Sequence, residues 1–139
     1  MKRFLLASLF ALLTYIPLQS VSSIQPLVNL DGYTYCTAGS INESAHLWLT
    51  ANHCVDGESE VFVGSIMRSG KVLWSDQTTD LAIIQSATYA PTLRLAKKAP
   101  QVGDVVAIIG YGNRATTAWG GVGTVLELNY HLPEEYGYP

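Results

Sequence analysis

Leu47-Trp48-Leu49-Thr50-Ala51-Asn52-His53-Cys54 is an apolar, strand-like run ending in a turn of small residues that carries a histidine and a cysteine side by side. Leu47 and Leu49 fall on the face opposite Trp48, as the twofold period of an extended chain requires. Imidazole titrates near neutrality, so a histidine held at the end of a strand suits general acid–base work. Alone, a histidine reads as an ordinary surface or core residue. Here a cysteine follows it, a second cysteine lies upstream at Cys36, and an apolar run opens downstream with Asp80-Leu81-Ala82-Ile83-Ile84.

A chain of 139 residues is long enough for one domain with a real core and too short for two ordinary ones. With 8 Lys and Arg against 11 Asp and Glu, it has the wrong sign to attract phosphate, and it has no basic run; no nucleic-acid partner is expected. Lys2 and Arg3 precede an apolar stretch from Phe4 to Leu18, followed by Ser20, Ser22 and Ser23. This order of charged, apolar and small residues is that of a secretory signal peptide, expected over residues 1–23. The uncharged run is shorter than the ~20 residues of a spanning helix and Pro17 interrupts its end, so no stable membrane anchor is expected. Cleavage near Ser23 would remove two of the basic residues and leave 6 against the same 11 acidic ones.

Export governs how the cysteines read. In an oxidising compartment an isolated pair, Cys36 and Cys54, is expected to form a disulfide, stabilising the fold by ~3 kcal/mol through closure of its loop. Zinc is the competing idea, since Cys36, His46, His53 and Cys54 could supply four ligands, but their spacing matches no pattern of closely paired ligands. No metal and no cofactor is expected.

Outward from the histidine turn, the chain reads as short strands. Leu27 to Leu30, Tyr33 to Thr37, His46 to Thr50, Val61 to Val63, Lys71 to Ser75 and Leu81 to Gln85 carry the apolar, β-branched and aromatic residues of strands. Asp31-Gly32, Asp56-Gly57 and Ser69-Gly70 read as turns between them. Such a series, with no amphipathic helix, implies an all-β antiparallel barrel or sandwich. Tyr89 to Gly103, with Pro91 and Pro100, reads as a solvated connector. Asp104 to Tyr111 is a further strand, and a Gly120-Gly121 turn leads to another over Val122 to Leu128.

Thr50-Ala51-Asn52-His53-Cys54 resembles the Thr-Ala-x-His-Cys motif of trypsin-like, chymotrypsin-fold serine proteases. Cys36-Thr37-Ala38-Gly39-Ser40 is similar to the strand carrying that loop's disulfide partner, and Asp80-Leu81-Ala82 to the motif around the family's triad aspartate. Val102-Gly103-Asp104-Val105 through Gly112 resembles the stretch that opens the family's second barrel. The resemblance covers roughly Leu27 to Asn129, and the short interval from His53 to Asp80 is more similar to bacterial secreted and envelope proteases than to vertebrate digestive ones. It implies a first six-stranded antiparallel barrel over 24–88, a connector over 89–103 and the start of an incomplete second barrel over 104–139. It also implies catalytic roles for His53, as base and acid toward a serine, and for Asp80, buried against the other ring nitrogen.

The family's Gly-Asp-Ser-Gly-Gly-like turn, which bears the nucleophile and the oxyanion hole, has no counterpart in these 139 residues. Gly39-Ser40 and Gly64-Ser65 have one glycine each and lie in first-barrel segments, so neither is assigned. The expectation is therefore the His- and Asp-bearing half of a secreted or periplasmic serine endopeptidase acting on polypeptides, inactive as an isolated chain. The alternatives are a non-catalytic secreted module that binds polypeptides, and a protein whose second barrel is completed by another chain. Truncation predicts that translating the DNA beyond the Pro139 codon in all three frames reveals a Gly-Asp-Ser-Gly-Gly-like segment; unrelated sequence there would exclude it.

Overall fold

In the computed structural model the described residues are 22–112 and 114–129. The expected signal peptide therefore lies almost wholly outside the described residues, as does the tail from Tyr130 to Pro139. Among the described residues no helix is long and apolar enough to cross a membrane.

Among the described residues eight strands form: β1 (Ile24–Val28), β2 (Thr34–Asn42), β3 (Leu47–Thr50), β4 (Glu60–Val63), β5 (Arg68–Asp76), β6 (Leu81–Ser86), β7 (Val105–Gly110) and β8 (Trp119–Thr124). The first six close into an antiparallel barrel in the order β1-β2-β3-β6-β5-β4, and β7 and β8 pair as a separate two-stranded sheet. The structure thus decides for a barrel over a sandwich. Register breaks at Leu27/Val28, Ser40/Asn42 and Val72/Trp74 supply the local bends that closure requires.

The barrel is filled from alternate positions. Trp48 is 1% exposed, Leu27, Val63, Ala82 and Ile84 are fully buried, and Val55 and Val61 join them. Strand β3 therefore turns Trp48 inward and leaves Leu47 and Leu49 half-buried on its outer side. Polar groups drawn into the core are satisfied: the Trp48 indole N–H donates to the Ser86 carbonyl at 3.4 Å, the Ser40 hydroxyl to the Ala90 carbonyl at 3.2 Å, and the Thr88 hydroxyl to the Val63 carbonyl at 2.9 Å. Without such partners each would carry a desolvation cost of ~1–3 kcal/mol.

Two glycine-containing turns are corrected. Ser69-Gly70 lies inside β5, and the chain instead reverses over Gly64 to Met67, where Gly64 takes φ +83°. Gly70 is there for space: a Cβ would stand 2.7 Å from Ile84 Cγ2 and 3.1 Å from Val63 Cγ2. Gly120-Gly121 likewise lies inside β8, opposite Ile109 and Ile108, so that strand starts and ends earlier than its sequence pattern suggests.

Gly70→Ala should therefore cost ~1–3 kcal/mol through overpacking against the stiff Ile84 side chain. Gly121→Ala, where a Cβ would meet nothing within 4 Å, should stay within ~0.5 kcal/mol of wild type. Urea denaturation of both variants checks this, and coincident midpoints for the two would refute the steric account.

Candidate active site

The antiparallel register of β3 and β6 pairs Thr50 with Ala82. Residues just beyond Thr50 must then face residues just before Ala82, and this brings the His53 turn to Asp80. The turn itself is a single 3-10 helical turn, Asn52–Cys54, closed by hydrogen bonds from Cys54 N–H to the Ala51 carbonyl at 3.2 Å and from Val55 N–H to the Asn52 carbonyl at 2.9 Å.

Asp80 holds this turn at three points. Its carbonyl accepts from Asn52 N–H at 3.1 Å, its Oδ1 accepts from His53 N–H at 2.9 Å, and its Oδ2 lies 2.7 Å from His53 Nδ1. To do so Asp80 adopts φ 52°, a left-handed conformation that aspartate tolerates better than most residues. The turn that delivers it is capped from within, since the Asp76 carboxylate accepts from the Thr79 hydroxyl at 2.6 Å and from Thr78 N–H at 3.1 Å. A carboxylate can only accept, so the proton of this pair sits on Nδ1 and the other ring nitrogen, Nε2, carries the lone pair of the neutral imidazole. That is the tautomer a general base needs.

The opposite side of the turn is tied by the Cys36–Cys54 disulfide, with the two Cα atoms 6.2 Å apart. Next to Cys36, Thr37 gathers three elements: its carbonyl accepts from the Thr50 hydroxyl at 2.8 Å, and its own hydroxyl accepts from Tyr111 N–H, beyond β7, at 2.8 Å. Thr37 was not singled out in the sequence, and an isolated threonine in a strand offers no signal that could have marked it.

Ligating atoms of Cys36, His53 and Cys54 come within 4.8 Å of one another, but both sulfurs are spent in the disulfide and no thiolate is available to a metal. His46 lies outside this group, in the left-handed turn before β3.

Electrostatically, partial burial of Asp80 works to raise its pKa. The hydrogen bonds from the His53 N–H and ring, together with the attraction of the imidazolium, outweigh that effect and hold it below the ordinary aspartate value. One expectation is corrected: Asp80 is not buried, since its side chain is 31% exposed and that of His53 53%. Water reaches both, and screens their attraction relative to a closed site.

Because Asp80 binds its proton less readily folded than unfolded, it contributes stability above about pH 4, and that contribution is lost as pH falls through its depressed folded value. The stability difference between wild type and Asp80→Asn should therefore shrink between about pH 5 and pH 2. Urea unfolding across that range measures it, and a difference independent of pH would contradict the pairing.

Comparison with known proteins bears on the same segments. No curated protein matches the chain in sequence. Solved structures do match in fold: the protease domain of MamO from Magnetospirillum magneticum, in its apo form, superposes with a TM-score of 0.64 at 15% identity over 78% of this chain and 62% of its own. A serine endoprotease from Yersinia pestis gives 0.64 at 19% identity over 83% of this chain and 47% of its own. The Mycobacterium tuberculosis protease Rv3671c, in an inactive form, gives 0.64 at 23% identity over 86% and 60%. The chain thus spans between 47% and 62% of the length of these three. The family model for the trypsin-like peptidase domain matches residues 36–135, a span that takes in both the disulfide and the Asp80–His53 pair, and the chain belongs to that family.

Proposed function

We propose that the chain contributes the base and orienting acid of a serine endopeptidase that hydrolyses peptide bonds in polypeptides. The observation that carries this reading is the 2.7 Å contact between Asp80 Oδ2 and His53 Nδ1, on a turn that Asp80 also grips through two backbone hydrogen bonds. In the proposed reaction His53 Nε2 takes the proton of a serine hydroxyl as that oxygen attacks the carbonyl carbon. The same nitrogen then returns the proton to the leaving amine. Asp80 stabilises the imidazolium formed between the two steps and keeps the ring from turning.

The serine and the oxyanion-hole N–H groups come from a segment that no stretch of these 139 residues resembles, either contiguous with this chain or borne by a second polypeptide that completes the sheet begun by β7 and β8. Export, supported by the signal-like order of residues 1–23, would place the protein in a compartment where the Cys36–Cys54 bond forms. The absence of a serine motif also supports a second reading, in which the barrel binds polypeptides without cleaving them.

A fluorophosphonate probe separates the two. The isolated 139-residue chain should take no label and cleave no peptide; labelling of a serine within it would overturn the division of the site. In a preparation containing the serine-bearing segment, turnover should fall by about 10⁶ in His53→Ala and about 10⁴ in Asp80→Asn. Cleavage that survives His53→Ala unchanged would remove the histidine from the mechanism, and binding without cleavage by the completed assembly would establish the non-catalytic reading.

A further inference from the structure

His53 also forms part of the wall of a cavity of about 690 Å³. The cavity lies between the β1–β2 turn and the chain that follows the histidine turn, and its remaining lining comes from those two segments and from the strands they leave and enter. The chemistry proposed above uses the two ring nitrogens of His53 and none of the carboxylates or apolar side chains of this cavity.

Two properties of its wall narrow the choice of occupant. The first is apolar and aromatic surface: Leu30, Tyr35 and Phe62 line it, and Tyr35 is a half-exposed ring rather than a core residue. The second is charge. Asp31, Asp56, Glu58 and Glu60 all line the cavity, and no lysine or arginine is among the described residues that line it. Glu60 is partly engaged, since it accepts from the Ser69 hydroxyl and stands across the strand pair from Lys71. The Tyr35 phenol has its pKa raised, first by burial and then by the Glu58 charge, which places Glu58 electrostatically beside the ring. A cavity with an aromatic and aliphatic wall and carboxylates along one side complements a long alkyl stem that ends in a cation.

We infer that this cavity receives a lysine or arginine side chain of a bound polypeptide, close in sequence to the peptide bond presented to His53. The stem lies on Leu30, Tyr35 and Phe62, and the cationic head meets Asp56 and Glu58, with Asp31 and Glu60 adding to the field. The inference rests on the peptide-hydrolysis reading for its place near a scissile bond, and it adds the class of substrate: polypeptides with basic residues. A neutral or acidic side chain would leave the carboxylates unanswered in a partly enclosed space, so the same groups that attract one class disfavour the other.

The test uses binding, and so it stands apart from whether His53 acts as a base. A peptide of glycine and serine with one central arginine is titrated into the full 139-residue chain and followed by amide NMR. The reference is the same peptide with citrulline, which keeps the shape and loses the charge. The arginine peptide should bind about tenfold more tightly at low salt and shift the amides of residues 30–35 and 55–60. The preference should fall to within about twofold in the Asp56→Asn/Glu58→Gln double variant, whose exposed positions leave the fold intact, as its unchanged spectrum elsewhere would verify. Equal binding of the two peptides, shifts confined to another face, or no shift at millimolar peptide would overturn the assignment while leaving the His53 and Asp80 chemistry to its own test.

Discussion

The carboxylate of Asp80 is the constraint on which the site depends. One residue closes the histidine turn twice through backbone N–H groups and once through the imidazole ring, so the position of the turn and the tautomer of the ring are set together. A charged acceptor makes hydrogen bonds roughly twice as strong as a neutral one, which is why an otherwise costly left-handed conformation persists at this position. The arrangement also explains why Asp80 stands immediately before β6 and His53 soon after β3: antiparallel pairing of Thr50 with Ala82 brings those two chain ends together without any further device.

Around this clamp the barrel supplies rigidity. Trp48, Ile84 and Val63 fill its interior while Gly70 leaves room for Ile84, so β3, β5 and β6 approach closely enough to hold the two ends of the clamp in register. The disulfide ties the far side of the same turn to β2, and Thr37, one residue further on, passes that anchorage to the chain leaving β7. The His53 imidazole is thus carried on a frame fixed from three directions, while its ring is half-exposed and borders a cavity lined by carboxylates. Open to water on this side, the Asp80–His53 pair relies on geometry more than on a low dielectric for its strength.

Much of this was legible in the residues. The alternating apolar runs marked the barrel strands, and the local motif around His53 with its flanking cysteine marked the turn, because strand period and turn chemistry are short-range properties. Two turns were misplaced: Gly120-Gly121 is held in a strand by pairing with Ile109 and Ile108, and at Ser69-Gly70 the glycine signals lack of volume rather than backbone freedom, which only a neighbour reveals. Ile84 is that neighbour for Gly70, fourteen residues away in sequence and in contact only once the barrel closes.

By itself the sequence determined the all-β character, the positions of the six barrel strands along the chain, the pairing candidates Cys36 and Cys54, and the two residues His53 and Asp80 that the fold brings to 2.7 Å. Tertiary structure alone decided the order in which the strands pair round the barrel, that Asp80 grips the backbone as well as the ring yet stays partly exposed, that Thr37 links three elements, and that four carboxylates share a cavity with Tyr35. The division has a physical basis. Local pattern encodes which backbone each segment adopts and which face it buries, whereas solvent access, charge clustering and enclosure belong to groups distant in the chain and come into being only when the strands pair.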